Sequence, residues 1–195
     1  MSMPPVPATA PLRLSVLGGF HLTIQEITCT HFYSDKVRAL LCYLALAGDQ
    51  SVRRETLTDL LWPGYAPLSA RASLRRALTE LRKTLVPYPL LTTTYHTVQL
   101  VNTPPLLWCD AQAFCALAVG CADHQPTLLL ACPVCAACRQ QALALYLGEF
   151  LQGFTHLDSA PFHAWRQAQA TRFAQVATVL RQLHLENNLS CEALV

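Results

Sequence analysis

The chain has 195 residues and a mass of 21.5 kDa, with 52% apolar and 13% charged residues. That length and apolar content support one large or two small cored domains and exclude intrinsic disorder. No apolar run approaches the about 18 residues of a membrane-spanning helix, and no basic cluster followed by an apolar run marks a signal peptide, so the expected compartment is the cytoplasm. The formal net charge of +2 hides an asymmetry: residues 1–101 carry ten Lys/Arg against six acids, and residues 102–195 carry four Arg against six acids. Five of the ten cations fall between Arg71 and Lys83, which points to an anionic partner for the first half.

Residues 1–11 are Pro/Ala-rich and read as a loose tail. Alternation at Leu12, Leu14 and Val16, then Phe20, Leu22 and Ile24, predicts two strands about a Gly18-Gly19 turn, with a third short strand near 28–32. Asp35 is placed as the N-cap of a helix carrying Val37, Leu40, Leu41 and Leu44 and closed by Gly48. Ser51 is placed as the cap of a second helix ending at Pro63-Gly64, with Trp62 as core or helix stop. A third helix is expected over about 68–86 because Leu74, Ala77, Leu78, Leu81 and Leu85 recur at intervals of three and four. Leu90–Thr94 and Thr97–Val101 form a hairpin by composition, with Tyr95 and His96 at its tip. After a junction at Asn102–Pro105, helices are expected over 110–119, 136–151 and 160–187, with Asp110 and Asp158 as N-caps and His156 and His163 as surface or capping groups.

Short strands, three helices and a hairpin are the order of a winged helix. Projected at about 100° per residue from Leu74, the leucines of the third helix cluster within roughly 40°. Arg71, Arg82, Arg75, Thr79, Ala72, Lys83 and Arg76 occupy the arc from about 60° to about 200°. One face can therefore dock on the core while the other presents five cations to a duplex. Ser69, Ala72 and Ser73 are small enough to let the backbone approach DNA. An α-helix fits the major groove, where Arg reads guanine in bidentate fashion. Tyr95 and His96 would touch phosphate or the minor groove as the wing.

Four stretches of the first half, "LRLSVLGGF" (12–20), "SDKVRALLCYLAL" (34–46), "RETLTDLLWP" (54–63) and "ARASLRRALTELRKTL" (70–85), resemble bacterial transcriptional activators of the SARP type. In the second half so do Trp108-Cys109-Asp110, Phe114, "ALALYLGEFLQGF" (142–154) and "FHAWRQAQATR" (162–172). The resemblance implies an α+β chain: an OmpR-like winged-helix DNA-binding domain over 12–102, then a bacterial transcriptional activator domain of TPR-like helices over 106–195, incomplete at Val195. It implies a sequence-specific activator that binds double-stranded DNA through 69–85, with Arg71, Arg75, Arg76 and Arg82 as DNA-facing cations. RNA polymerase or a second copy of the chain is the expected partner of the helical half. The rival reading is a TPR-like interaction scaffold that does not bind DNA.

Six of the nine cysteines lie between Cys109 and Cys138. Cys121-x2-His124 followed by Cys132-Pro-Val-Cys135 has the spacing of a structural zinc site, with Cys138 or Cys115 as alternative ligands; buried core thiols are the competing explanation. No phosphate loop and no convergent acid/base set appears, and neither Cys135 nor His124 is marked as an activated nucleophile. A non-enzymatic protein without a small-molecule substrate is therefore expected.

Overall fold

The computed structural model describes residues 10–101, 106–120 and 132–192, with side chains through residue 186. The expected tail and the Asn102–Pro105 junction lie outside it except for Ala10 and Pro11. Ala10 is buried, and the Pro11 carbonyl accepts from the Gln25 N–H at 2.7 Å, so these two residues pack on the fold ahead of the first strand.

Strands β1 (Leu12–Ser15) and β2 (His21–Ile24) pair antiparallel with Leu14 opposite Leu22, and β3 (Ile27–Thr28) pairs with β2. Five residues, 16–20, separate β1 from β2, so the connection is not the tight two-residue turn expected at Gly18-Gly19. Helices α1 (Asp35–Ala47), α2 (Arg54–Leu61) and α3 (Pro67–Thr84) follow. The N-cap of α1 is Ser34, with Asp35 inside the first turn, where its charge suits the helix dipole. Ser51 caps nothing. It precedes a two-residue strand, β4 (Val52–Arg53), and the N-cap of α2 is Arg53. The hairpin β5 (Leu91–Thr93) and β6 (Thr97–Leu100) takes β4 as its third strand, in the order β4-β6-β5.

The second half departs from an all-helical expectation at its start. Residues Leu107–Cys109 form strand β7, which pairs parallel to β1, Leu12 opposite Leu107 and Leu14 opposite Cys109, and completes a sheet of order β3-β2-β1-β7. Of the helices that follow, α4 (Asp110–Val119) packs on β1 and β7, α5 (Pro133–Leu145) on α4, and α6 (Ala160–Glu192) on α5 and α2. α5 starts three residues before its expected position and stops at Leu145, not Leu151. The rest of that stretch turns back, and Phe150 forms a β-bridge with Leu17. The Gly18 N–H donates to the Glu149 carbonyl at 3.1 Å and the Leu151 N–H to the Val16 carbonyl at 2.8 Å.

Two glycines make this approach feasible. A Cβ on Gly18 would lie 3.2 Å from the Leu147 Cβ, at a positive φ of 115° that L side chains resist. A Cβ on Gly148 would lie 3.1 Å from the Gly18 Cα. "LGG" at 17–19 and "LGEFLQGF" at 147–154 are thus two sides of one contact.

Asp110 secures the same junction. It is not an N-cap, since Cys109 holds that position. Its buried carboxylate accepts from the backbone N–H groups of Val16 and Leu17 at 2.9 Å and of Ala111 at 2.7 Å. Asp158 does not cap α6 either. Ser159 does: its Oγ accepts from the Phe162 N–H at 3.2 Å and donates to the Leu60 carbonyl at the end of α2. A single cluster of buried residues runs from Leu12 through Leu44, Leu78, Phe114 and Phe150 to Leu180. Trp62, the C-cap of α2, is part of it.

Candidate nucleic-acid interface

Helix α3 begins with Pro67 at its first position, where the missing N–H costs nothing. Ala70, Leu74, Ala77, Leu78 and Leu81 are buried beneath it. On the opposite side Ser69, Arg71, Ala72, Arg75, Arg76, Thr79, Arg82 and Lys83 are exposed, and Ser73 is half-buried. The helical phase read from the sequence is the phase observed.

These groups do not all point the same way. Arg71 and Arg75 line a groove of about 850 Å³ between α3, the start of α2 and the tip of the hairpin. Arg82 leans onto the wing, its Nη2 donating to Thr93 Oγ1 at 2.7 Å. Arg76 turns away and stacks over the exposed Tyr33 ring at 4.7 Å, an arrangement that holds a guanidinium in place without neutralising it. Lys83 pairs with Glu80 at 2.9 Å. Thr79 Oγ1 donates back to the Arg75 carbonyl at 3.1 Å.

The wing tip is organised by one hydroxyl. Thr94 Oγ1 accepts from the N–H groups of His96 and Thr97 at 3.2 and 2.9 Å. Tyr95, 86% exposed, stands edge-on to the His96 ring at 4.8 Å. From below, Arg54 Nε donates to the Thr94 carbonyl at 3.0 Å.

Arg53 and Arg54 complete the groove, whose lining holds four arginines and one acid, Glu55. Sequence reasoning missed both as site residues. The doublet was visible, but its position depends on Arg53 pairing opposite Thr97 of the wing, a contact with no local signature.

The proposed zinc ligands are divided. Cys121 and His124 lie outside the described residues. Cys132 is the N-cap of α5, Cys135 and Cys138 are buried along its first turns, and Cys115 is half-buried on α4. Among the described residues no three His, Cys, Asp or Glu side chains gather as a metal site would require. Deeper in the core, burial pushes the Cys109 thiol up to about 12, aided by neighbouring Asp110, and raises Cys42 well above its ordinary value. Both behave as core thiols, the reverse of activated nucleophiles. His156 is exposed, and His163 Nε2 lies 2.6 Å from the Leu157 carbonyl. No helix among the described residues is long and apolar enough to cross a membrane.

A three-helix unit with a β-hairpin wing and a helical second half is a winged-helix fold of the α+β class. No family model and no curated protein matches the chain. Among solved structures, Mycobacterium tuberculosis EmbR in complex with a low affinity phosphopeptide shares the fold, with a TM-score of 0.74 and 21% sequence identity. The match covers 93% of this chain and 46% of that one, so the chain spans less than half the length of its structural neighbour. The fold class implied by the SARP resemblance, a winged helix followed by a helical region, is therefore the one found.

Proposed function

We propose that the chain is a sequence-specific DNA-binding transcriptional regulator of the SARP type, an activator that places α3 in the major groove. The observation that carries this reading is the groove itself: Arg53, Arg54, Arg71 and Arg75 converge on a concavity walled by the recognition helix and an ordered wing tip. Arg71 and Arg75 face the duplex, Arg75 being the base-reading candidate, while Arg76, Arg82 and Lys83 flank the groove as phosphate contacts. Tyr95 and His96 reach the backbone or minor groove. The fold shared with a SARP-family regulator supports the assignment. In this reading residues 12–102 bind DNA, and the activator-type region 106–195 meets RNA polymerase or a second copy of the chain.

The test is an electrophoretic mobility shift with the DNA upstream of the chain's own locus. Arg75→Ala weakens specific binding by about 1–3 kcal/mol if it reads a base. Arg76→Ala, held on Tyr33, lowers affinity on all sequences alike. With about five phosphate contacts, affinity falls a few hundredfold between 50 and 200 mM salt. A flat salt response, or no effect of the Arg71→Ala/Arg75→Ala double variant, returns the chain to the scaffold reading.

A structural zinc ion on Cys121, His124, Cys132 and Cys135 is a separate proposal. It rests on ligand spacing and on the position of Cys132 and Cys135 at the start of α5. About one zinc per chain, lost in Cys132→Ser/Cys135→Ser, is the expected result of elemental analysis.

A further inference from the structure

A cleft of about 820 Å³ opens where the end of α1, strand β4, helix α4 and the first half of α6 meet. One wall carries aromatic rings. The rings of Tyr43 and Trp165 lie 5.0 Å apart, and the buried Phe173 stands two turns further along α6. Trp165, Gln169, Arg172 and Phe173 follow the i, i+4, i+7, i+8 spacing that puts side chains on one helical face. Its charge is one-sided: the lining holds two arginines, Arg53 and Arg172, and no acid. Neither guanidinium forms an ion pair among the described residues. Burial raises the Cys115 thiol, and the nearby Arg172 charge partly offsets it, so that positive charge is felt inside the cleft.

Small-molecule sites have this size and makeup: apolar walls with a few convergent polar groups. Two exposed cations without an acid favour an anion, which they meet with charge-assisted hydrogen bonds. A flat aromatic wall selects a planar body. We propose that this cleft binds a planar aromatic carboxylate, its ring against Tyr43 and Trp165 and its carboxylate on Arg172. Arg53 lines the basic groove as well, so the site is assayed without DNA, and its failure leaves the DNA reading standing.

The probe is naphthalene-2-carboxylate, titrated into the full chain by calorimetry and followed by tryptophan fluorescence. One molecule binds saturably, and the uncharged naphthalene-2-carboxamide binds at least about tenfold more weakly, the scale of a lost charge-assisted contact. Arg172→Gln lowers affinity by a similar factor. Arg181→Gln makes the same charge change on the same helix, at a guanidinium that sits over Tyr146 outside the cleft, and leaves binding unchanged. Ala47→Leu narrows the cleft without altering charge and also weakens binding, so the proposal does not depend on one variant folding. Equal binding of acid and amide, indifference to Arg172→Gln, or no saturable binding overturns it.

Discussion

The basic groove and the β1–β7 seam are built by opposite means. The groove is assembled mainly from residues close in sequence: α3 carries its cations on one helical face, and the wing follows within ten residues. The seam joins residues more than ninety apart, with β1 meeting β7, Val16 meeting Asp110 and Leu17 meeting Phe150. The groove presents charge to solvent, whereas the seam buries a carboxylate among backbone donors. A functional face can thus rest on local periodicity while the scaffold that orients it depends on distant pairing.

The strongest way to break the comparison is to remove the seam's main apolar anchor. Phe150 is fully buried, its ring 5.4 Å from Phe173 and 5.7 Å from Trp165. Phe150→Ala costs about 3–5 kcal/mol through lost burial and a residual cavity. Because one buried cluster runs through both regions, urea unfolding stays a single transition shifted to lower denaturant. Two separated transitions, one seen at Trp165 and one at Trp62, would show that the groove stands without the seam.

Asp110 offers a finer cut. Burial raises its carboxyl pKa to about 6, although the Leu17, Val16 and Ala111 N–H groups favour the ionised form. Desolvation outweighs the donors, so the folded state holds the proton to higher pH than the unfolded state does. Stability from this group therefore falls as pH rises from about 4 to about 6 and is constant above that, a change of at most about 3 kcal/mol. Asp110→Asn removes this pH dependence. It also costs about 1–3 kcal/mol at neutral pH, since an amide NH₂ now faces backbone donors that have lost their acceptor. Melting curves at pH 4.5 and 7 of the two proteins check both effects.

These residues also mark how far the sequence could be read. The phase of α3 was legible because the leucine period depends on helix geometry alone, so the exposed arc of arginines followed from it. The order of strands, helices and wing was legible for the same local reason. Strand β7 was not: Leu107–Cys109 is too short to show alternation, and it is a strand only because β1 offers an edge. Asp110 opens a helix and carries the sequence signature of a cap, yet tertiary packing took its carboxylate for Val16 and Leu17. Arg53 and Arg54 were missed for the same reason, since only pairing with the wing brings them to the groove. The resemblance to SARP activators located the motif "LGEFLQGF", and only its meeting with "LGG" explains the glycines.

The smallest expected effect separates two neighbouring residues at the start of α6. Ser159 Oγ receives the Phe162 N–H and donates to the Leu60 carbonyl, so it caps one helix and satisfies the end of another. Asp158 is exposed, and its charge only partly offsets the desolvation that lowers the Lys36 pKa. Ser159→Ala therefore costs about 1–2 kcal/mol, a lost N-cap plus an unsatisfied carbonyl. Asp158→Ala costs no more than a few tenths, the usual scale of an exposed charge. Urea midpoints of the two variants decide the matter: a larger loss at Asp158 would make the cap electrostatic, and the hydroxyl's bridge between α2 and α6 would then contribute little to holding the helical half against the groove.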